Sequence, residues 1–162
     1  MVDEETQVLR KQAFEYLFDL EVKKATRYQY FLALLFLELD VPRPEGESNT
    51  QGHFGVDQLK VFADLLRDEL RSTDVIGKLS DGRLSVLLHH ADDVNTQRVG
   101  DRLRKRIEDY AFTHGNYAHR TVSIGGACFP SGGNFPEDLR DVATRMIERA
   151  KEDGGNKIYM AG

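Results

Sequence analysis

The chain reads as an α/β domain built on a mixed sheet, and three features of its 162 residues predict this. Residues 31–39 (FLALLFLEL) form a near-continuous apolar run, the length of a strand and apolar on both faces. Residues 74–79 and 84–89 flank Ser80-Asp81-Gly82-Arg83, and Asp-Gly is a favoured pair for a tight hairpin turn. Stripes at helical spacing alternate with these strand-like runs along the chain.

The elements follow in order. Residues 9–27 read as a helix, with Phe14, Leu17, Phe18, Val22 and Ala25 near helical spacing. After the apolar strand, Pro42, Pro44, Gly46, Gly52 and Gly55 break all periodicity and make 41–55 a long loop. Loops of that length in compact domains are uncommon and often functional. A second helix spans 56–71, with Leu59, Phe62, Ala63, Leu66 and Leu70 on one side. The hairpin strands come next, then a helix over 94–111 carrying Val99, Leu103 and Ile107. Residues 121–129 make a strand in which Gly125 and Gly126 allow a bulge. A helix over 135–152 buries Leu139, Val142, Ala143, Met146, Ile147 and Ala150. Asp153-Gly154-Gly155 ends it, and 157–160 is a short last strand.

Composition narrows the function classes. The 162 residues are one domain's worth, 1–162, without internal repeat or linker. No run approaches the roughly 20 apolar residues of a membrane span, and the first residues are acidic and polar, unlike a secretory signal. Cys128 is the only cysteine, so no intrachain disulfide forms and a reducing cytoplasm is expected. No histidine stands at metal-ligand spacing from a cysteine or carboxylate. A net charge of −5 argues against DNA binding. Charge is uneven, however: Arg98, Arg102, Arg104, Lys105 and Arg106 face a single acid, Asp101, within 97–107. Such a patch serves a small anionic ligand or simply solvates a helix face.

Four blocks, in register, resemble the GGDEF (diguanylate cyclase) family. FLALLFLELD (31–40) resembles its first strand, which ends in Asp-x-Asp. DVIGKLSDGRLSVLL (74–88) resembles the strand, signature hairpin and return strand. TVSIG (121–125) matches T-x-S-x-G, and AKEDGGN (150–156) resembles the closing A-K-x-x-G-R-N. The resemblance implies a central mixed, mostly antiparallel sheet of about five strands surrounded by helices, like nucleotide-cyclase and polymerase palm domains.

The same resemblance implies that cyclase chemistry is absent. Joining nucleoside triphosphates needs divalent metal to neutralise phosphate charge, and magnesium wants carboxylate oxygens. The signature positions read Ser80, Asp81, Gly82, Arg83 and Leu84, so a glycine and a cation stand where family members carry acids. Glu38 replaces the first acid of Asp-x-Asp, Gly155 replaces a phosphate-contacting arginine, and Lys151 is kept. Gly52-His53 resembles part of the guanine-reading loop, but the spacing is one short. The expected Asp there falls on Val56, and Asn49 has no secure place. On this reading the chain has no catalytic residue, no metal and no cofactor.

What is kept is an Arg-x-x-Asp, Arg71-Ser72-Thr73-Asp74, at the register of the family's inhibitory site for cyclic di-GMP. A further product-binding arginine of the family falls on Arg102, with Arg98 one turn before it. Arginine offers a planar fork to phosphate or to the O6/N7 edge of guanine, and a carboxylate accepts from the N1 and N2 hydrogens. The expectation is therefore a cyclic di-GMP receptor acting through Arg71, Asp74 and Arg102, together with a protein partner or self-association. The alternative is an interaction or dimerisation module that binds no nucleotide. A third reading has Lys151 and Arg83 gripping GTP phosphates.

Overall fold

A computed structural model describes residues 1–4, 6–40, 56–80, 82–110 and 120–161. The elements run α1 (Lys11–Tyr28), β1 (Leu32–Leu39), α2 (Val56–Glu69), β2 (Val75–Ser80), β3 (Arg83–His89), α3 (Asp93–Asp109), β4 (Val122–Phe129), α4 (Pro136–Glu152) and β5 (Lys157–Met160). They make one five-stranded sheet in the order β2-β3-β1-β4-β5. All neighbours are antiparallel except β4 and β5, which are parallel. The expected mixed, mostly antiparallel sheet is found.

The apolar run becomes the central strand because both of its faces are covered. Ala33, Leu35, Leu37 and Leu39 pack with Phe62, Ala63 and Leu66 of α2 and Leu103 and Ile107 of α3. Leu32, Leu34 and Phe36 pack the other way, onto Phe14, Phe18 and Val22 of α1 and Val142, Ala143 and Ile147 of α4. Each fully buried leucine contributes about 1.5–3 kcal/mol of transfer free energy, so β1 anchors both layers. Glu38 alone interrupts the burial of this strand, near the end where β3 begins.

Several local readings change. No bulge interrupts the pairing of β4 with β1, which runs unbroken from Leu32–Phe129 to Leu39–Val122. Gly125 is instead a close-approach residue: a Cβ there would stand 2.1 Å from the backbone nitrogen of Ile147, so its absence lets α4 lie on the sheet. The irregularity falls between Lys78 and Ser80, beside the hairpin turn. Gly82 takes φ 81° in that turn, while Asp81 lies outside the described residues. The helix expected to reach Arg71 stops at Glu69, and the following strand opens at Val75, so Arg71 and Asp74 both belong to the turn between them. Leu9, expected inside the first helix, instead pairs with the outer edge of β2, and α1 begins at Lys11. Leu9 N–H donates to the Ile76 carbonyl (3.1 Å) and Lys78 N–H to the Leu9 carbonyl (2.8 Å). Among the described residues no helix is long and apolar enough to cross a membrane.

Candidate functional site

Two clusters hold the residues singled out by the sequence, and they lie at opposite ends of β3. The first is the bend between β2 and β3. Arg83 opens β3 and sits opposite Glu38 of β1 in the antiparallel register. Its Nε donates to Glu38 Oε1 at 2.5 Å, and its terminal nitrogen donates to Glu148 of α4. The second oxygen of Glu38 is held by Lys151, with Nζ at 3.1 Å. Burial works against the charge on Arg83, yet the hydrogen bonds to Glu148 and Glu38 outweigh it and push its pKa up. The same hydrogen bond holds Glu148 below its ordinary carboxylate value, against its partial burial.

Two acids and two bases therefore close on one another here. Magnesium requires open carboxylate oxygens in a near-octahedral set. Glu38 has both oxygens committed to cations, and Gly82 brings no side chain, so the described residues do not fit such an ion. The phosphate-gripping role of Lys151 and Arg83 meets the same obstacle, because each is held by a carboxylate. Asn49, Gly52 and His53 lie outside the described residues, as does the whole of 41–55.

Behind the bend, Asp40 is a structural acid. Its carboxylate accepts from the hydroxyls of Thr121 and Ser123, each at 2.5 Å, and from Asn156 N–H at 2.8 Å. Gly155 presses against it at φ 75°, and a Cβ would lie 2.8 Å from that carboxylate. A side chain at this position would meet that carboxylate on a strained backbone. Buried Arg120 braces the same corner by donating to the Asp40 carbonyl (3.2 Å) and to Gln58 Oε1 (3.1 Å).

The second cluster is the turn from α2 to β2. Asp74, with only 3% of its side chain exposed, accepts from the backbone N–H of Arg71 at 3.0 Å. Its other oxygen lies 3.4 Å from the N–H of His89. The Arg71 guanidinium donates to the His89 carbonyl at 2.8 Å, with Nε 3.6 Å from Asp74, and remains 62% exposed. The turn brings Arg71 and Asp74 together, but the Asp74 carboxylate expected to accept from a guanine is spent on the backbone. The acid is turned inward to fix the corner and the guanidinium outward.

Arg102 reaches this corner from α3 without joining it. It donates to the Glu69 side chain (3.1 Å) and to the Glu69 carbonyl (2.9 Å), two residues before Arg71. Arg106 also approaches Glu69, at 3.6 Å, and Arg98 lies exposed one turn earlier. Two participants escaped sequence reasoning. His89 offers its backbone to both corner residues, while its imidazole meets buried Glu21 of α1 at 3.1 Å. Arg67 lies with Arg71 along one cleft of about 550 Å³, bounded by the N-terminal segment. The four-residue spacing of Arg67 and Arg71 was the available signal. Cys128 is buried, and that burial pushes its thiol up to about 12.

The family described as "Diguanylate cyclase, GGDEF domain" matches residues 1–157. The YhcK protein of Bacillus subtilis is 28% identical over 129 residues, covering 78% of this chain and 35% of YhcK, so the chain spans about a third of that relative. Among solved structures, the GGDEF domain of YfiN (TpbB) from Pseudomonas aeruginosa superposes with a TM-score of 0.86 at 23% identity, covering 100% of this chain and 95% of that one. The GGDEF domain of DgcB from Caulobacter crescentus, solved in complex with c-di-GMP, gives 0.82 at 17% identity, covering 98% and 94%. Both likenesses speak to the fold. With the family model matching residues 1–157 and the fold shared with a solved GGDEF domain, the chain belongs to the GGDEF domain family.

Proposed function

We propose that this chain is a GGDEF domain without cyclase activity that serves as a receptor for cyclic di-GMP at the Arg71-Asp74 corner. The observation that carries the first half is Arg83, whose guanidinium fills the bend where metal-binding acids are expected and pairs with Glu38 and Glu148. A cation in that place repels magnesium, and without magnesium the triphosphate charge stays unscreened. The receptor half rests on Arg71, which presents its fork to solvent while Asp74 fixes the turn beneath it. Arg102 contributes more weakly, because Glu69 already holds it in two places. The nucleotide in the DgcB complex supports this choice of ligand.

Isothermal titration with cyclic di-GMP, with GTP as comparison, tests the proposal. Saturable binding of cyclic di-GMP that is strongly weakened in Arg71→Ala is expected. Synthesis of cyclic di-GMP from GTP and magnesium overturns the inactive half, and undiminished binding by Arg71→Ala overturns the receptor half.

A second reading, an interaction or dimerisation module independent of nucleotide, draws on a different observation. Phe31, Val94 and Phe135 are 50%, 60% and 63% exposed, and all precede or open elements at the end of the sheet remote from Arg83. Exposed apolar groups gathered at one end favour contact with a protein surface. An unchanged melting temperature in excess cyclic di-GMP favours this reading, since a ligand specific to the folded state must stabilise it.

A further inference from the structure

The helix α1 and the end of β3 meet around one buried carboxylate. Glu21 of α1 is 8% exposed and accepts from three side chains. Lys24 Nζ lies 3.3 Å from one oxygen, and the Tyr30 hydroxyl and His89 Nε2 each lie 3.1 Å from the other. Burial works against the charge on Glu21, but these hydrogen bonds outweigh it and lower its pKa, so Glu21 is a carboxylate at neutral pH. A carboxylate only accepts, so the hydrogen between the two groups sits on His89 Nε2. The other ring nitrogen, Nδ1, is buried without a hydrogen-bond partner among the described residues. Among those residues Glu21 is therefore the one polar anchor of the ring. The neighbouring residue tightens the same clasp. His90, at φ 57°, stacks on Tyr30 with ring centroids 4.8 Å apart, and its N–H donates to the Phe31 carbonyl at 2.8 Å.

The backbone of His89 belongs to the corner. Its carbonyl accepts from the Arg71 guanidinium at 2.8 Å, and its N–H lies 3.4 Å from Asp74 Oδ1. One residue thus holds α1 through its ring and the corner through its main chain. Arg71 is otherwise a long side chain, 62% exposed. Holding its fork in one place before a ligand arrives removes an ordering cost from binding.

Resting on the receptor reading, we propose that Glu21 and His89 are positioning residues through which α1 regulates the Arg71 fork. With the ring anchored, the His89 carbonyl keeps the fork preset. With Glu21 drawn away, the fork loses that support and ligand is held less tightly. Coupling between two sites is reciprocal, so a ligand on Arg71 also strengthens the seating of α1. The route uses neither the bend at Arg83 nor α3.

The test uses the intact 162-residue protein and cyclic di-GMP, in two measurements. In calorimetric titration, His89→Phe keeps a ring and the backbone but removes Nε2. It is expected to raise the Kd about fivefold or more, the lower end of usual coupling between sites. His89→Gln, whose amide nitrogen stands in for Nε2, is expected to recover most of that loss. NMR supplies a signature that a purely structural residue would not give. In the unmodified protein, saturating ligand should shift the His89 ring nitrogens and the amides of Glu21 and Val22 on α1. In His89→Phe the shifts on α1 should disappear while those at Asp74 and Val75 remain. An unchanged Kd in His89→Phe, or an α1 that does not respond to ligand in the unmodified protein, overturns this inference and leaves the receptor reading standing. Absence of saturable binding by the unmodified protein removes the receptor reading, and this inference with it.

Discussion

The bend at Arg83 and the corner at Arg71 each pair an arginine with carboxylates and behave in opposite ways. At the bend the arginine is the inward partner: its side chain is 16% exposed, and it faces Glu38 at 21% and Glu148 at 47%. At the corner the acid is inward, Asp74 at 3%, and Arg71 stands out at 62%. Charges of opposite sign that are both withdrawn from water hold each other strongly, because the medium screens them less. A buried acid that accepts mainly from backbone N–H groups leaves its arginine available. Which partner the fold buries, rather than which residues are present, separates a closed charge cluster from one whose arginine faces solvent.

The largest effect expected at either place is on binding at the corner. Arg71→Ala removes a charged donor fork and should raise the Kd for cyclic di-GMP about ten- to hundredfold in calorimetric titration. The same titration of Arg83→Ala should return the unmodified value, and a matching loss there would erase the distinction drawn between the two clusters.

Gly155→Ala comes next. The substitution forces a Cβ against the Asp40 carboxylate at φ 75° and should cost about 2–3 kcal/mol, read as a lower urea midpoint with unchanged slope. Wild-type stability in that variant would mean that the corner behind the bend yields easily.

Arg83→Ala should cost about 2 kcal/mol in the same experiment, between the values for exposed and fully buried pairs. It strips Glu148 of its partner and leaves Glu38 with Lys151. A loss near zero would show that the bend is as loosely held as an ordinary surface pair.

The smallest effect is a slope with pH. Glu148 has its pKa lowered from 4.5 by the Arg83 hydrogen bond. A depressed carboxylate value stabilises the folded state above the unfolded pKa, and that contribution is lost as pH falls through the folded value. Urea midpoints followed downward from pH 6 should therefore fall, and Glu148→Gln should shallow the fall. An identical slope in the variant would place the acid sensitivity elsewhere. Glu21 is the next candidate: burial works against its charge, but hydrogen bonds from Tyr30, Lys24 and His89 outweigh it and lower its pKa.

Much of the fold was legible because its signals are local. The run 31–39 could bury both faces only as a central strand, and β5 falls on 157–160 as read. The glycines at 125 and 126 misled, since a glycine that admits a helix and one that bulges a strand look alike in sequence. At the site, Arg71, Asp74 and Arg83 could be singled out by register with the hairpin. Glu148 could not, because its meeting with Arg83 spans 65 positions and depends on how α4 crosses the sheet. The contact of Arg67 with the Thr6 carbonyl was hidden in the same way, since it spans 61 positions.

By itself the sequence determined the order of elements, the central strand, the tight hairpin and the presence of a cation where acids were expected. Those are properties of spacing and residue type, and they hold whatever the chain packs against. Only the tertiary structure decided that Arg83 is closed off by Glu38 and Glu148 while Arg71 is left at the rim of a cleft. Availability depends on burial and on the partners that packing supplies, and both come from segments far apart in the chain.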